Sequence, residues 1–272
     1  MILNEYKAQS VMEGAGVAVN RVFGQRETKA FDPFLMLDYF VNDKDVPSPG
    51  FPWHPHKGIE TITYFTRGSG KHEDSMGNKG VIGPGELQWM SAGRGIYHQE
   101  MPGKTPNGVQ GFQFWLNLPA KDKLKAPEYQ YIKKGEMKSV TKEGVTVNVI
   151  SGSYLDTKGA IDKESLGITM LHVLVGQDRS ISLQRDEDKL GYIFVFSGKG
   201  HLDGQKVSQI TAYTLSPGKT TIKADEGGPI EFIFAQGHPL NEPIAWRGPI
   251  VMNTSEQIYD AFQDLNDGTF AK

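Results

Sequence analysis

Short apolar runs broken by glycine turns recur along this chain, and only its last stretch keeps a helical period. Thr61 to Thr66 is dense in β-branched and aromatic side chains and predicts a strand that ends at Gly68-Ser69-Gly70. A second turn, Gly83-Pro84-Gly85, precedes the run from Leu87 to Met90, and Gly93-Arg94-Gly95 interrupts the chain just before Ile96. Upstream, residues 16–23 predict an opening hairpin, and Phe31 to Phe40 is apolar enough for a buried strand. Residues 41–52, rich in Asp, Pro, Ser and Gly, predict a surface loop. Further on, Phe112, Phe114, Leu116 and Leu118 alternate with Gln113, Trp115 and Asn117. One face of that strand is core; the other lines a cavity or meets solvent, and alternation alone does not choose. Short strands joined by glycine turns describe small antiparallel barrels. At the end, Ile258, Phe262 and Leu265 fall at i, i+4 and i+7 and predict a helix. Asn253 or Thr254 caps it, Glu256 or Gln257 completes a capping box, and Asp267-Gly268 stops it. Its apolar face is expected to pack on the outside of a barrel.

The pattern repeats. Residues 64–70 are echoed by 194–200, and 83–86 by 216–219. The chain therefore reads as two domains, an expectation its 272 residues also favour. Residues 1–120 form the first, 121–140 a linker, and 141–272 the second together with the terminal helix. The linker region, with its six lysines between residues 119 and 138, reads as a solvated connector. The fold class expected is all-β: two tandem jelly-roll-like antiparallel barrels with a C-terminal helix.

Composition narrows the chemistry. The 32 glycines and 15 prolines fall in no low-complexity tract, which fits many turns between short strands. The absence of cysteine excludes disulfides, thiolate metal sites and a cysteine nucleophile. A net charge of −3 without any block of like charge argues against direct nucleic-acid binding. No apolar stretch is long enough to span a membrane as a helix, and the N-terminus lacks the pattern of a signal peptide, so a cytoplasmic protein is expected.

Two triplets carry the candidate chemistry: His54-Pro55-His56 and His98-Gln99-Glu100. In a strand, positions i and i+2 face the same way, so two such strands side by side would converge three imidazoles and a carboxylate. That donor set suits Fe, Mn, Ni, Cu or Zn. Glu60, four residues after His56, would share the face if the strand ran unbroken. His72, in the polar run Lys71 to Asp74, reads as a solvated loop histidine; His172, His201 and His238 read as structural or surface. Offsets from the repeat place Gln184, Asp186, Glu231 and Ile233 where the first copy has its four donors. The second barrel is therefore expected to be metal-free.

The order HxH, glycine turn, PG and late His is similar to the two motifs of the cupin superfamily. The segments DPFLMLDYF at 32–40, HPHKGIETITY at 54–64, HED at 72–74 and PGELQWMSAGRGIYHQEMP at 84–102 resemble one family within it, the pirins. The resemblance is dense over residues 16–118 and thinner beyond. It implies a bicupin with metal ligands His54, His56, His98 and Glu100, leaving Glu60 to orient a ligand histidine or a neighbouring strand. It also implies one divalent transition metal per chain, Fe(II) ahead of Mn, Ni, Cu, Co or Zn. The activity implied is quercetin 2,3-dioxygenase, which opens a flavonol ring with O2 and releases carbon monoxide. Glu100 would be the catalytic base, and Phe51, Trp53, Met90, Ile96 and Trp115 are candidates for an apolar pocket. The alternative is a non-enzymatic metal-binding regulator that acts through protein partners. A sugar-phosphate isomerase fits less well, because only Lys57, Arg67 and Arg94 flank the ligands.

Overall fold

The computed structural model describes residues 1–44, 48–103, 107–162 and 166–271. Residues 45–47, inside the loop expected over 41–52, lie outside the described residues, as do 104–106. The chain forms two compact units, each an antiparallel barrel of a seven-stranded and a four-stranded sheet.

In the N-terminal barrel the large sheet runs Glu128–Ile132, Glu86–Ser91, Ile59–Arg67, Val109–Asn117, Phe34–Asn42, Val17–Phe23 and Gln9–Glu13. The small sheet runs Phe51–His56, Ile96–Pro102, Gly70–Asp74 and Lys79–Ile82. In the C-terminal barrel the large sheet runs Ile2–Lys7, Thr211–Leu215, Leu190–Gly198, Ile230–Gly237, Thr169–Val175, Val145–Ser151 and Ser139–Lys142. Its small sheet runs Ser180–Arg185, Gly218–Ala224, Gly200–Leu202 and Gln205–Val207. The strand order is the same in both, so the repeat in the sequence is a repeat of fold. Alternating apolar positions fill each interior; in the C-terminal barrel Val147, Val149, Leu171, Val173, Ile193, Val195 and Phe232 form one cluster.

Three segments group differently from the division read along the sequence. Ile2–Lys7 belongs to the C-terminal unit, where it pairs with Thr211–Leu215 as the edge strand. Glu128–Ile132, inside the expected linker, is the matching edge strand of the N-terminal barrel and pairs with Glu86–Ser91. Residues 240–272, with the helix Ser255–Asp267, belong to the N-terminal unit. Edge pairing is made by backbone hydrogen bonds, which leave little mark on side-chain pattern. The helix itself has the expected ends: Thr254 and Gln257 form a capping box, and Gly268 closes it in the left-handed conformation. Ile258 and Ala261 are buried in a cluster with Ile250, Met252 and Phe270, with Phe262 and Leu265 packed against it.

The shared topology also corrects one alignment. The counterpart of Ile96–Pro102 is Gly218–Ala224, not the strand that contains Glu231 and Ile233, which lies in the large sheet. The counterparts of both histidine strands, Ser180–Arg185 and Gly218–Ala224, contain no histidine and no carboxylate. Gln184 is on the exposed side of its strand.

Candidate metal centre

Phe51–His56 and Ile96–Pro102 pair antiparallel with His98 opposite His54 and Ile96 opposite His56. The i, i+2 spacing of His54 and His56 therefore meets His98 on one face. The three rings form a near-equilateral group, with centroids 4.3 Å apart for His54–His98 and 4.9 Å for the other two pairs. One nitrogen from each lies within 4.8 Å of the others, the only such group among the described residues.

Hydrogen bonding sets the tautomers. His54 Nδ1 lies 2.8 Å from the Pro52 carbonyl and His56 Nδ1 lies 3.0 Å from the Pro249 carbonyl. A carbonyl only accepts, so both Nδ1 atoms carry a proton and the Nε2 atoms are the ones left to meet an ion. Those two Nε2 atoms face each other at 3.1 Å. His98 is fully buried, and neither of its ring nitrogens has a hydrogen-bond partner. Burial, reinforced by the His54 ring, pulls His56 down to about 3; burial, then His56 and His54, pulls His98 well below its usual value. Burial thus keeps the His56 and His98 imidazoles neutral, and nitrogens of all three rings converge. Buried polar atoms are rarely left this way, and a transition-metal ion satisfies the set.

Glu100, the fourth expected donor, is held beside the triad and not within it. The register shift opposite His98 and Glu100 lies in the partner strand, where His54 and Phe51 are three residues apart, so His98 and Glu100 keep one face of their own strand. Glu100 Oε1 lies 2.9 Å from Thr63 Oγ1 and accepts from Gln88 Nε2 at 3.2 Å, while Oε2 accepts from Gln113 Nε2 at 2.9 Å. Glu60 is also fully buried, but it accepts from Trp89 Nε1 at 3.1 Å and from Lys125 Nζ at 3.3 Å. The face argument from His56 to Glu60 fails at Gly58, whose φ of 77° breaks the strand.

His72 departs most from expectation. It is a buried strand residue, not a solvated one. Its Nε2 lies 3.1 Å from Asp74 Oδ2, its ring stacks on Tyr129 at 5.0 Å, and its centroid is 5.5 Å from that of His98. Burial raises the Asp74 carboxyl, but hydrogen bonds from His72 and Asn78 outweigh it and the net shift is downward. Gln88 joins this pair to Glu100, with its Nε2 3.3 Å from His72 Nδ1 and its Oε1 accepting from the Tyr129 hydroxyl at 3.3 Å. The signal in the sequence was the alternation Lys71-His72-Glu73-Asp74, which puts the histidine and one carboxylate on the inner face.

The opposite side of the triad is aromatic and apolar. Trp115 meets the His56 ring edge-on at 4.8 Å and stacks on Trp246 at 5.7 Å. Met90 and Ile96 are fully buried in the cluster that Trp115 and Trp246 flank, whereas Trp53 is exposed. The polar face of Val109–Asn117 is therefore turned toward the triad and not to solvent: Gln113 reaches Glu100 and Trp115 reaches His56.

A pair of cupin barrels, one with a three-histidine centre, defines this protein as a bicupin of metal-binding type. The family comparison is more specific. Residues 16–116 match the pirin family and residues 170–271 its C-terminal cupin domain, and the chain belongs to the pirin family. It is 38% identical to a pirin-like protein of Caulobacter vibrioides, over 99% of this chain and 98% of that one. It is 37% identical to pirin of Mus musculus, over 94% and 88%. Among solved structures, quercetin 2,3-dioxygenase from Acinetobacter baumannii superposes with a TM-score of 0.92 at 30% identity, covering 100% of this chain and 98% of the other.

Proposed function

We propose that this pirin is a metal-dependent dioxygenase of flavonols, of the quercetin 2,3-dioxygenase type. The observation that carries the reading is the convergence of three imidazoles, two of them buried, beside a carboxylate held by Thr63, Gln88 and Gln113. Likeness to a structure of that activity at 30% identity supports it. His54, His56 and His98 would hold one divalent ion, Fe(II) first, with Glu100 as a fourth donor or as its neighbour. When bound, such an ion supplies Lewis acidity toward the flavonol 3-hydroxyl and carbonyl, and open positions that O2 can reach.

The protein's own residues do the rest. Glu100 is the base that takes the 3-hydroxyl proton, and three hydrogen bonds aim its carboxylate. Trp115, Trp246 and Met90 form a dry wall on the other side that suits an aromatic substrate. Both atoms of O2 enter the product, and one ring carbon leaves as carbon monoxide. The C-terminal barrel lacks donors on the two corresponding strands, so one ion per chain is expected.

Metal-replete protein is to be assayed on a flavonol panel for absorbance loss, O2 uptake and carbon monoxide release together, with metal content per chain measured in parallel. No O2 uptake above that of free metal would overturn the enzyme reading and favour a metal-binding regulator that acts through a protein partner. Among the described residues no helix is long and apolar enough to cross a membrane, and we place the activity in the cytoplasm.

A further inference from the structure

Lys123 lies in the lysine-rich stretch that reads as a solvated connector, yet it is only 1% exposed. Its ammonium donates to the Gly58 carbonyl at 2.8 Å, to Asn117 Oδ1 at 2.6 Å and to the Val251 carbonyl at 3.0 Å. All three acceptors are neutral, so this is not an ion pair; Glu242 is the acidic group whose charge acts on it. Burying an ammonium among neutral acceptors is costly, and a lysine is rarely buried this deeply.

The three acceptors share one property: each belongs to a segment that frames His56. Gly58 is two residues after His56, in the turn that leaves the histidine strand. Val251 is two residues after Pro249, whose carbonyl accepts from His56 Nδ1. Asn117 ends the strand whose Trp115 packs edge-on against the His56 ring. One ammonium therefore ties together the three segments around a single imidazole.

The segment from 249 to 252 passes very close to the histidine turn. Val251 N–H donates to the Lys57 carbonyl at 3.1 Å, and a Cβ on Gly58 would collide with the Val251 carbonyl. Gly95 is under the same constraint from the Phe270 carbonyl, which accounts for two glycines at the ends of the strands that carry the histidines. Further fastenings are Lys57 to Asp264 at 2.8 Å and Asn253 Nδ2 to Glu242 Oε2 at 3.1 Å. Glu242 also accepts from the backbone N–H of Ala120 at 2.7 Å, three residues before Lys123.

We infer that Lys123 is a positioning residue for the metal centre: by holding residues 249–252 against the Gly58 turn, it keeps the Pro249 carbonyl on His56 Nδ1 and the His56 Nε2 lone pair aimed at the ion. The inference rests on His54, His56 and His98 being the ligands. It is selective. His54 takes its acceptor, Pro52, from its own strand, so Lys123 acts on His56 and leaves His54 alone.

The test uses the full chain with Lys123→Met, which keeps an unbranched side chain of similar length and removes the charge and the donors. In metal-free protein, long-range proton–nitrogen NMR spectra of the imidazoles read the tautomer of each histidine. Ni²⁺ affinity is read by competition with a chelator. The expected result is that His56 loses its exclusive Nδ1–H signature while His54 keeps its own, and that Ni²⁺ affinity falls about 10–100-fold, the usual effect of removing an outer partner of a ligand. A folded Lys123→Met with the native His56 tautomer, and with affinity within about threefold of the parent against that expectation, overturns the inference. If the Met variant does not fold, Lys123→Gln, whose shorter side chain has two N–H donors and cannot serve all three acceptors, is judged by the same two measurements. His56→Ala alongside separates the two readings. Unchanged Ni²⁺ affinity there overturns the ligand assignment itself, whereas unchanged affinity confined to the Lys123 variant overturns only the positioning role.

Discussion

His54 and His56 point their Nε2 atoms at each other across 3.1 Å, while the Nδ1–H of each is committed to a backbone carbonyl. Two lone pairs at that distance repel unless a proton or a metal cation lies near both. His98 adds two more buried nitrogens without partners. Two strands thus hold unsatisfied polar atoms at a cost in stability that a bound ion would remove, since anything that binds the folded state alone stabilises it.

The cost can be measured at His98. An unsatisfied buried polar group costs about 1–3 kcal/mol, and leucine has similar volume without the nitrogens. In the presence of chelator, His98→Leu is expected to be as stable as the parent or more so, by up to about 2 kcal/mol in urea unfolding. The same variant is expected to bind no metal. A large loss of stability in the metal-free variant would mean that His98 has a structural partner and is not waiting for a ligand.

Glu100, half-buried, and Glu60, fully buried, part company under substitution. Glu100→Gln replaces a carboxylate aimed by three hydrogen bonds. It is expected to lower kcat by about 10²–10⁴-fold, the usual worth of a general base, beyond any loss traceable to metal content. Glu60→Gln disturbs the bonds to Trp89 and Lys125 and is expected to cost stability while leaving the metal's spectrum unchanged. A spectral change from Glu60→Gln alone would reverse the two roles.

How far this site could be read from sequence follows from which interactions have a period. His54, His56 and His98 were legible because i and i+2 share a face in any strand, and the terminal helix because Thr254, Gln257 and Gly268 act within a few residues of one another. The Glu100 carboxylate, expected as a fourth donor, is bonded to Thr63, Gln88 and Gln113, which lie on three other strands and have no spacing in the sequence to announce them. His72 was misread because its charged neighbours Lys71 and Glu73 look like loop, when they are the outer face of a strand. Ile2–Lys7 as an edge strand, and Pro249 as the acceptor for His56, depend on backbone atoms that every residue has. No residue type announces them. Lys123 was hidden by its company: it sits in a lysine-rich stretch, and its burial among three acceptors sets it apart.

Lys123 also gives a pH dependence with a definite sign. Burial pulls its ammonium down to about 7 from an ordinary value of 10.5, against an upward pull from Glu242. Between those values the unfolded chain holds a proton that the folded chain has released. Stability then rises with pH across that window, and the penalty of the buried charge is fullest below about 7. Urea unfolding of the parent and of Lys123→Met at several pH values from 6.5 to 10 is expected to show the parent gaining on the variant as pH rises. The opposite slope would show that the three acceptors hold the proton on more strongly than burial drives it off.

His72 supports Glu100 at one remove. The Asp74 carboxylate accepts, so His72 Nε2 carries the proton and Nδ1 is an acceptor. That acceptor takes one N–H of Gln88, whose amide is thereby turned so that its nitrogen also faces Glu100 Oε1 at 3.2 Å. Tyr129 completes the assignment by donating to Gln88 Oε1. His72→Phe keeps a ring to stack on Tyr129 but removes the acceptor, which frees the Gln88 amide to rotate and present its oxygen to the carboxylate. The variant is expected to retain its metal and its KM while kcat falls about 10-fold or more, as outer-partner changes do. Metal analysis and steady-state kinetics on one preparation check it. Loss of the metal would make His72 a ligand, and unchanged kcat would mean that the orientation of Gln88 does not matter to the base.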